Sequence, residues 1–557
     1  MILGIDVGGT HTDAVLIDNF TVCRKAKVVT DEKNLLTSLL AVTTELVDAD
    51  TVARLERVVL STTISTNAIV QNKVDPVGMI VVSGPGLPPS LLGAPEATRF
   101  LPGYVNHRGI QVEEVDSSQA EAIGASFRAA GIEHCGVVSK FSPRNPHQEN
   151  RLKSIIAPGM RHVSLGHRMS GHLNFPRRIA TTYLNEAIWE RYRHFVSEVL
   201  RFVKERRIDV PIYILKADGG TFDIEQSVEF PAQTILSGPA ASVMGIVTMA
   251  EFSQDAVALD IGGTTTDIAL FADGVPLLEP FGVTIEGRRT LIRGLRTKSV
   301  GIGGDSVVSL RGGRLSIGPE RQGPAAAFGG PGPTPTDALV CLGLTAIGDR
   351  DRAAAFLRPL AEGLQLPVAE AAEAIFAATC GAISSHVRAV IAEINNQPVY
   401  TIHEMLAGKR LTPRRLYVVG GPAQALAPEL GRLLDCEACI PPHAEVANAI
   451  GAALARTTAE LTLLADTEQR LLTAAEEGLQ CPIQSAFTGK DAVRIGTEML
   501  REKARQIGAA EEDMEIEVVE FQEFSMVRGY TTSGKNIRVK LQIKPGMIAG
   551  LAAGGVR

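Results

Sequence analysis

The chain carries one short motif twice. Residues 3–18 read LGIDVGGTHTDAVLID and residues 258–271 read ALDIGGTTTDIALF, so the pattern D-x-G-G-T-x-T-D occurs once in each half. Each copy is an apolar run, an acid, a Gly-Gly-Thr turn and a second apolar run, which predicts a β-hairpin. Glycines let the backbone approach an anion, and successive N–H groups in such a turn form an anion-binding nest. The repeat predicts two phosphate loops that grip one nucleotide from opposite sides.

The acids that precede the two turns, Asp6 and Asp260, can hold a hydrated magnesium ion beside the phosphates, so we expect them to be the catalytic and metal-binding residues. An ordinary hairpin turn is the alternative for either copy alone, and the duplication favours phosphate. The predicted phosphate-binding residues of the two loops are Gly8, Gly9, Thr10, His11, Thr12, Gly262, Gly263, Thr264 and Thr265.

Two more glycine segments complete the predicted nucleotide site. In LYVVGGPAQALAPELG a buried strand ends in Gly420 and Gly421, and a helix starting near Pro422 turns its positive N-terminus toward the cleft. In SVGIGGDSVV, Gly303 and Gly304 form a third loop, and Asp305 can meet a ribose hydroxyl or a magnesium-bound water. The alternative for the first segment is a strand-to-helix turn that merely requires glycine.

Other motifs stand in a fixed order along the chain: STTISTNAIVQNK at 61–73, LKADGGTFD at 215–223, PAQTILSGPAASVMG at 231–245 and PTPTDALVCLG at 333–343. Together with the duplicated loop, they resemble the actin, sugar-kinase and Hsp70 superfamily, and within it the hydantoinase A and 5-oxoprolinase branch. The resemblance runs over about residues 1–460. The TILSGPAA and PTxTDA segments are typical of that branch.

The resemblance implies an α/β fold in which two actin-like (ribonuclease H-like) domains, 1–177 and 178–464, flank a nucleotide cleft, followed by a small α+β unit at 465–557. It implies ATP and magnesium as cofactors, and phosphorylation of the amide oxygen of a lactam, hydantoin or 5-oxoproline-like ring for ring opening. The hydantoinase B portion is absent, so a separate partner subunit is implied, and we expect an oligomer. The alternatives are a small-molecule kinase and an ATP-driven activase.

Hydroxyl and amide groups that suit such a substrate lie in two motifs. Thr63 and Asn67 belong to STTISTNAIV, and Asp218 and Gly219 belong to ADGGTF. We expect these four residues to bind substrate. The alternative for TISTNA is helix capping by Ser or Thr, and both roles can coexist at one helix N-terminus.

Composition excludes several classes of protein. A length of 557 residues with 45% hydrophobic and 21% charged residues predicts two or three globular domains. A net charge of −7 argues against nucleic-acid binding. No apolar run reaches the length of a membrane span and no signal peptide is evident, so we expect a cytoplasmic protein without membrane association.

Three further patterns have open interpretations. Cys436 and Cys439 form a single C-x-x-C, which can begin a metal or redox site, although most of the cysteines are expected to be small buried residues. The histidines at 162, 167 and 172 either share a metal or, as we favour, lie in loops. GYTTSGKN at 529–536 imitates a P-loop but ends in Asn and precedes an alternating strand, so it predicts a hairpin turn.

Periodicity predicts helices at 33–47, 117–130, 178–207, 351–395 and 491–507, and strands at 514–524 and 536–543. The 178–207 helix is expected to start the second domain. Residues 311–335, rich in Gly and Pro, predict a loop that acts as a substrate lid. Two features depart from the family pattern: His11 stands where Phe is usual, and the run at 395–415 replaces a shorter link.

Overall fold

The computed structural model describes residues 1–31, 34–251, 254–279, 281–396, 410–551 and 555–556, and of Arg528 the backbone alone. Its elements up to residue 227 are β1 Ile2–Val7, β2 His11–Asp18, β3 Thr21–Val29, α1 Leu35–Thr43, α2 Ala49–Arg54, β4 Arg57–Thr62, α3 Ile64–Val70, β5 Val77–Val82, β6 Thr98–Phe100, β7 Tyr104–Val105, β8 Gln111–Glu113, α4 Ser117–Ala129, β9 His134–Ser139, α5 His147–Ile156, β10 His162–Leu165, α6 Gly166–Met169, α7 Phe175–Glu205, β11 Ile212–Leu215, β12 Thr221–Asp223 and α8 Ile224–Ser227.

The elements that follow, up to residue 454, are α9 Ser237–Met249, β13 Ala256–Ile261, β14 Thr266–Ala272, β15 Val275–Pro276, β16 Thr284–Ile285, β17 Arg288–Arg289, β18 Thr297–Val300, β19 Ser306–Arg311, β20 Arg314–Arg321, α10 Pro335–Cys341, α11 Arg350–Leu364, α12 Val368–Asn395, β21 Arg415–Val419, α13 Ala423–Leu434, β22 Glu437–Cys439 and α14 Ala447–Leu454. The last part of the chain forms β23 Glu460–Asp466, β24 Leu471–Ala474, β25 Leu479–Pro482, α15 Gly489–Gln506, β26 Ile516–Arg528 and β27 Thr531–Ile543.

The fold is mixed α/β, and its two main sheets repeat one arrangement. The first has the strand order β12-β11-β4-β1-β2-β3, and the second has the path β15-β14-β13-β21-β22, with β18 added beside β14. In each, the motif forms an antiparallel hairpin (β1 with β2, β13 with β14), and the first strand of the hairpin also pairs in parallel with a later strand, β4 or β21. Both predicted hairpins are therefore confirmed.

Helices α9 and α14 lie between the two sheets and are almost wholly buried. A Cβ atom on Gly245 would lie 2.1 Å from the carbonyl oxygen of Ala447, and one on Gly451 would lie 2.1 Å from that of Ala241. The helices therefore touch backbone to backbone, because glycine leaves no side chain between them. One apolar core, with residues such as Val15 from the first sheet and Phe271 from the second, surrounds this crossing.

Helix α7, which is expected from the sequence to start the second domain, packs on the first sheet, and the domain boundaries remain a prediction. Its buried residues Tyr192, Phe195 and Phe202 pack in the same core as β1 and β4, and β11 and β12, which follow it, belong to the first sheet. The same helix also covers a smaller sheet of order β10-β9-β5-β6. The first sheet therefore draws strands from both sides of the 177/178 boundary, since the helix folds back on the strands that precede it.

The C-terminal unit is a five-stranded sheet of order β25-β24-β23-β27-β26 covered by α15. Helix α15 spans 489–506 against the predicted 491–507, β27 includes the predicted strand 536–543, and β26 overlaps the predicted strand 514–524 from residue 516 onward. Residues 529–536 contain the turn of the β26–β27 hairpin, as predicted, and the turn leads into a strand and not into a helix.

The prediction of continuous loop over 311–335 is wrong in part. Residues 314–321 form β20, which pairs with β19 as an exposed hairpin. The remainder is organised by a capping box at Thr334, in which the buried carboxylate of Asp337 accepts hydrogen bonds from the backbone N–H groups of Ala326, Ala327 and Thr334. The PTxTDA motif is therefore a structural clamp, and the lid remains a prediction.

Other elements agree with the sequence to different degrees. The 117–130 helix is α4, whereas the 33–47 helix is shortened to α1, and its first predicted residue lies outside the described residues. Of the 395–415 run, residues 397–409 also lie outside them. Among the residues described, α12 is the one helix long and apolar enough to cross a membrane by length and composition, and it packs against α13 in one of the internal cores.

Candidate active site

The first hairpin closes its turn with a backbone hydrogen bond from Gly8 N–H to the His11 carbonyl (3.0 Å). Thr30 supports the turn from behind, since its hydroxyl donates to the Gly8 carbonyl (2.9 Å) and lies 2.9 Å from that of Thr12. Thr12 is fully buried. It therefore holds the predicted phosphate loop in shape and does not line the cleft.

The second hairpin repeats the closure, with Gly262 N–H donating to the Thr265 carbonyl at 2.9 Å. The third glycine loop packs directly on it: Gly304 N–H donates to the Gly262 carbonyl (2.9 Å), and Asp305 N–H donates to the Gly263 carbonyl (2.7 Å). A Cβ atom on Gly303 would lie 2.6 Å from the Gly263 carbonyl oxygen. The predicted second and third loops thus form one continuous backbone surface.

The strand-to-helix turn at 420–421 joins the same surface. Gly420 has φ +96°, and a Cβ atom there would lie 2.9 Å from Oδ1 of Asp260. A Cβ atom on Gly421 would meet open space, and α13 begins at Ala423, so its N-terminus lies beside the second hairpin as expected. The tight turn requires glycine at 420, and the open position at 421 leaves room for a ligand.

The two strand-end acids are joined through two other side chains. Asn448 of α14 donates from Nδ2 to Oδ2 of Asp6 (3.3 Å), and its Oδ1 lies 2.9 Å from the Ser242 hydroxyl of α9. The Ser242 hydroxyl is also within hydrogen-bonding distance of Oδ2 of Asp260. The chain Asp6–Asn448–Ser242–Asp260 therefore runs across the helix crossing and connects the two halves at the floor of the cleft.

Four carboxylates gather on this floor, because each motif places a second acid opposite the first. Asp6 is opposite Asp13 across the first hairpin, and Asp260 is opposite Asp267 across the second. Burial and the neighbouring Asp13 raise the pKa of Asp6 to about 7, against hydrogen bonds from Ser61 and Asn448 that lower it. Burial and Asp260 raise the pKa of Asp267 to about 7, against a hydrogen bond from Ser299.

This crowding of acids fits a divalent cation. Lys27 donates to Asp13 at 2.9 Å, yet burial still raises the pKa of Asp13, and its Oδ1 is buried without a hydrogen-bond partner among the described residues. Within the described ranges, no group of three or more His, Cys, Asp or Glu side chains forms a ready-made metal cage. One or two carboxylates, completed by water and phosphate oxygens, are what magnesium accepts.

His11, whose purpose the sequence left open, stands exposed at the end of the first turn with its Nδ1 3.3 Å from the Thr10 hydroxyl. Partial burial and Lys27 lower its pKa, while Asp305 across the cleft opposes the change. Asp305 itself is paired with Arg321 at 3.2 Å. A neutral imidazole at this position adds a hydrogen-bonding group to the loop without adding charge.

The predicted substrate residues divide between two cavities. Thr63 and Asn67 line a cavity of about 360 Å³ together with Gly8 and Gly9 of the first hairpin. The amide nitrogen of Asn67 would lie 3.0 Å from a Cβ atom on Gly9, so the Asn67 side chain lies directly against the loop backbone. This cavity is therefore continuous with the first phosphate loop.

Asp218 lines a different cavity, of about 220 Å³, where α7, the 216–222 segment and the C-terminal unit meet. Its carboxylate accepts from Gly220 N–H (2.9 Å) and lies 3.7 Å from Nζ of Lys216, a buried lysine whose pKa burial lowers. Gly219 beside it has φ +83° and packs against Met244. The structure therefore does not bring the four predicted substrate residues together.

The alternative that a Ser or Thr of TISTNA caps a helix is correct for the position of the residue but not for a capping hydrogen bond. Thr63 is the N-cap residue of α3, but its side chain makes no capping hydrogen bond and instead accepts from Asn67 Nδ2 at 3.2 Å. The TILSGPAA segment packs on this helix start, with Leu236 N–H donating to the Thr66 hydroxyl (2.9 Å) and the Ser237 hydroxyl donating to the Thr62 carbonyl (2.7 Å). Leu236 adopts φ +68°, a strained backbone conformation that marks the junction.

Comparison with known proteins agrees with these observations. The hydantoinase/oxoprolinase family matches residues 178–461, and the N-terminal region of the same family matches residues 2–158. The chain belongs to the hydantoinase/oxoprolinase family. This confirms the family resemblance inferred from the sequence motifs.

Relatives of this hydantoinase/oxoprolinase protein include a caprolactamase subunit alpha from Pseudomonas jessenii, 24% identical over 62% of the chain and 55% of the relative. A 5-oxoprolinase from Saccharomyces cerevisiae is 30% identical over 42% of the chain and 18% of the relative. The chain thus matches about half the length of the first and under a fifth of the second.

Two solved structures share the fold of the hydantoinase/oxoprolinase chain. An acetone carboxylase without nucleotide superposes with a TM-score of 0.73 at 19% identity, covering 99% of this chain and 88% of the other. The ATP-dependent caprolactamase of Pseudomonas jessenii gives a TM-score of 0.71 at 19% identity, with the same coverage. Similarity at this identity establishes the fold alone.

Several functional candidates were missed from the sequence. Ser242 lies within the TILSGPAASVMG motif, which is typical of the family. The motif alone did not indicate that the Ser242 hydroxyl contacts a strand-end acid. No sequence pattern pointed to Asn448, Lys27 or Arg321 as partners of the acids, because these contacts depend on packing between distant segments.

The histidine and cysteine patterns form no shared site. His162 is in β10, donates from Nδ1 to the carboxylate of Glu186 (2.8 Å) and stacks on Trp189, whereas His167 is in α6 and pairs with Glu149 at 2.6 Å. The expectation of loop histidines is therefore wrong for these two. Cys436 and Cys439 are free thiols whose pKa is raised by burial, and neither joins a metal-binding cluster among the residues described.

Proposed function

We propose that the chain is the ATP-using subunit of a cyclic amide hydrolase. In this proposal its two main sheets are actin-like domains that flank a nucleotide cleft, and a lactam, hydantoin or 5-oxoproline-like ring is activated by phosphorylation of its amide oxygen. The observation that carries the proposal is the joined pair of hairpins, whose acids are bridged by Asn448 and Ser242 while a cavity opens beside the first hairpin.

Phosphoryl transfer to an amide oxygen requires positioning of the reacting atoms and neutralisation of the phosphate charge. Phosphoryl transfer needs the acceptor oxygen, the γ-phosphorus and the leaving ADP oxygen roughly in line, with donors around the transferred group. The Gly8 and Gly262 N–H groups close their own turns, so Gly9 would offer a backbone N–H group on the side of the acceptor cavity, and Gly263 and Thr264 would offer them on the other side. The same backbone surface that the third glycine loop supports would hold the nucleotide.

Magnesium would be held by Asp6 and Asp260 through its waters, and when bound it would neutralise charge on the phosphate oxygens. Ionised Asp6 is then required, and the hydrogen bonds from Ser61 and Asn448 favour that ionised form. Asn448 and Ser242 would also keep the two acids at a fixed separation when the cleft closes.

The acceptor would occupy the cavity beside Gly9, with Thr63 and Asn67 supplying polar contacts to the amide. The amide oxygen attacks the γ-phosphorus, and the bond from phosphorus to the ADP oxygen breaks. Phosphorylation weakens the resonance that protects the C–N bond, so water can add to the ring carbon, and the ring nitrogen takes up a proton and leaves as an amine. A second water then hydrolyses the acyl phosphate that remains to a carboxylate and free phosphate. Completion of ring opening is assigned to a hydantoinase B-like partner subunit, and several relatives are themselves named as subunits.

The test compares ATP turnover with and without a panel of lactams and hydantoins, in the presence of the partner subunit. Asn67→Ala should weaken the substrate-stimulated rate by about 10-fold, more than it weakens the substrate-free rate. Asn150→Ala, an exposed asparagine on α5 outside both cavities, is the matched control. Asp218→Ala asks whether the second cavity also serves the substrate.

Two outcomes would overturn the proposal. Ring opening at the full rate without ATP would exclude an ATP-dependent amide hydrolase. A stable phosphorylated product, formed one for one with ADP, would identify a small-molecule kinase instead.

A further inference from the structure

An arginine is fixed beside the turn of the second hairpin. Arg321 is the last residue of β20, and it donates from Nε and Nη2 to Oδ2 of Asp305, at 3.4 and 3.2 Å. Asp305 is itself anchored to that turn, because its N–H donates to the Gly263 carbonyl and its Oδ2 would lie 2.7 Å from a Cβ atom on Gly263. One carboxylate therefore separates the Arg321 guanidinium from the predicted phosphate loop.

Local structure explains why these two side chains meet. The β19–β20 hairpin pairs Ser306 with Arg321, and Ser306 directly follows Asp305 in the chain. The third glycine loop packs on the second turn by backbone alone, since a Cβ atom on Gly303 would lie 2.6 Å from the Gly263 carbonyl oxygen. The loop thus holds Asp305 against the turn, and the register of the hairpin brings Arg321 beside it.

The first hairpin faces this pair from the other side of the cleft. Burial is the main cause that lowers the pKa of His11, and Lys27 adds to the lowering. Asp305 raises that pKa and Arg321 lowers it further. Charges shift a pKa in this way from nearby positions, so the Asp305–Arg321 pair lies close to the turn of the first hairpin as well as to that of the second.

The pairing leaves part of the guanidinium free to bind a ligand. Asp305 accepts from two of the five N–H groups of Arg321, both on one edge of the planar group. The rigid fork keeps the remaining N–H groups directed away from the carboxylate. The two side chains are 29% and 17% exposed for Arg321 and Asp305, so the pair is only partly screened by water.

We propose that Arg321 binds the γ-phosphate of ATP, and that Asp305 is the positioning residue that aims the guanidinium at it. The inference rests on the proposed function, and it adds the cation that neutralises the transferred group. In that function the γ-phosphate lies between the nucleotide side and the acceptor side, which is where the two turns face each other. Arginine binds phosphate through short charge-assisted hydrogen bonds, and a phosphoryl-transfer enzyme can supply such an arginine from its own chain.

The sequence alone suggested a different role for Asp305, as a partner of a ribose hydroxyl or of a magnesium-bound water. The two roles differ in their consequences for ADP, because ADP keeps the ribose and the magnesium but lacks the γ-phosphate. Calorimetry therefore measures the Kd for ADP and for the non-hydrolysable ATP analogue AMP-PNP, each with magnesium, on the whole chain without acceptor.

We expect Arg321→Ala to raise the Kd for AMP-PNP by about 10-fold and to leave the Kd for ADP within about 2-fold, since a hydrogen bond to a charged group is lost with the γ-phosphate alone. Arg321→Lys should recover part of the AMP-PNP affinity, because it keeps the charge and loses the fork. Arg314→Ala, at the exposed opposite end of β20, is the matched control and should change neither Kd.

A double-mutant cycle tests the positioning role. Asp305→Asn should weaken AMP-PNP binding while Arg321 is present, because the guanidinium loses the group that holds it. In the Arg321→Ala background the same change should cause no further loss, since no guanidinium remains to be aimed. Equal losses in both backgrounds, or equal losses for ADP and AMP-PNP, would assign Asp305 to the ribose or the magnesium-bound water and overturn its positioning role.

Binding needs no acceptor and no partner subunit, so these outcomes separate the inference from the proposed function. Selective loss of AMP-PNP affinity in Arg321→Ala, without any lactam or hydantoin that stimulates turnover, would leave the γ-phosphate role standing while the amide hydrolase proposal fails. An unchanged Kd for AMP-PNP in Arg321→Ala, or an equal loss for ADP, would overturn the inference even if ring opening depends on ATP. The ADP affinity of each variant also reports whether its cleft is folded.

Discussion

The two hairpins share one sequence motif and have different surroundings. In the first, the strand-end acid Asp6 has a pKa raised to about 7 and its opposite, Asp13, is paired with Lys27. In the second, it is the opposite acid, Asp267, whose pKa is raised to about 7, while Asp260 lies within reach of Ser242. The repeated motif thus does not give equal hydrogen-bond and ion-pair partners to equal positions.

The surroundings also differ in what covers each turn. The second turn is covered by the third glycine loop and by Gly420, whereas the first borders a cavity lined by Thr63 and Asn67. A duplicated element therefore keeps its local shape and acquires its role from neighbours. We interpret the second hairpin as the nucleotide side and the first as the acceptor side.

The largest expected effect comes from removing either strand-end acid. Asp6→Asn and Asp260→Asn should each lower ATP turnover by about 100-fold or more, because both acids are proposed to position magnesium. Asp18→Asn, at the half-buried far end of the first hairpin where Asp18 pairs with Arg54, is the control, and circular dichroism checks the fold. Normal turnover in both variants would exclude the cleft assignment, and loss in one alone would limit the metal to that hairpin.

Adding one methyl group where helices α9 and α14 touch should change the stability of the protein. Gly451→Ala places a Cβ atom 2.1 Å from the Ala241 carbonyl oxygen, so overpacking should lower stability by about 1–3 kcal/mol. Gly381→Ala, on α12 with open space around the new Cβ atom, should instead stabilise the protein by about 0.5–1 kcal/mol. The Tm of each variant is measured by calorimetry. A higher Tm for both variants would contradict a backbone contact between α9 and α14.

The raised pKa values of Asp6 and Asp267 predict a pH dependence. Asp6 and Asp267 have pKa values raised from 3.8 to about 7, so the stability they contribute is complete below about pH 3.8 and is lost as the pH rises through about 7. The Tm of the nucleotide-free protein should fall over that window. ATP turnover should rise over it, because magnesium requires ionised Asp6.

Asn448→Ala sharpens this test. It removes a hydrogen bond that favours ionised Asp6, so the acid limb of the activity profile should move upward by about one pH unit. The Asn150→Ala profile should coincide with that of the unsubstituted protein. If the Asn448→Ala profile also coincides with that of the unsubstituted protein, Asp6 does not set the acid limb of the activity profile.

The smallest expected effect is at the glycine-containing hairpin of the C-terminal unit. Lys535 lies in β27, pairs with Glu523 at 2.6 Å and precedes strand, not helix. Lys535→Ala should therefore leave the Kd for ATP unchanged. A tenfold weakening, about 1.4 kcal/mol, would mean that residues 529–536 bind phosphate after all.

Sequence patterns predicted the elements that depend on neighbouring residues. Gly-Gly-Thr between apolar runs was sufficient for both hairpins, and amphipathic spacing placed α15 within two residues at each end. Local composition was not sufficient to predict the structure of residues 311–335, where Arg314–Arg321 pairs with β19 despite the glycine-rich sequence. Nor could it show that α7 packs on the first sheet, since that depends on strands on both sides of the helix.

The sequence by itself determined the duplicated hairpins, the family and the glycine turns, because each is encoded within about fifteen consecutive residues. Only the tertiary structure decided that Asn448 and Ser242 bridge Asp6 to Asp260, and that Asp218 lies in a different cavity from Asn67. The protonation of the acids was decided there as well. Burial and charge neighbours are properties of packing between residues hundreds of positions apart, and no local pattern records them.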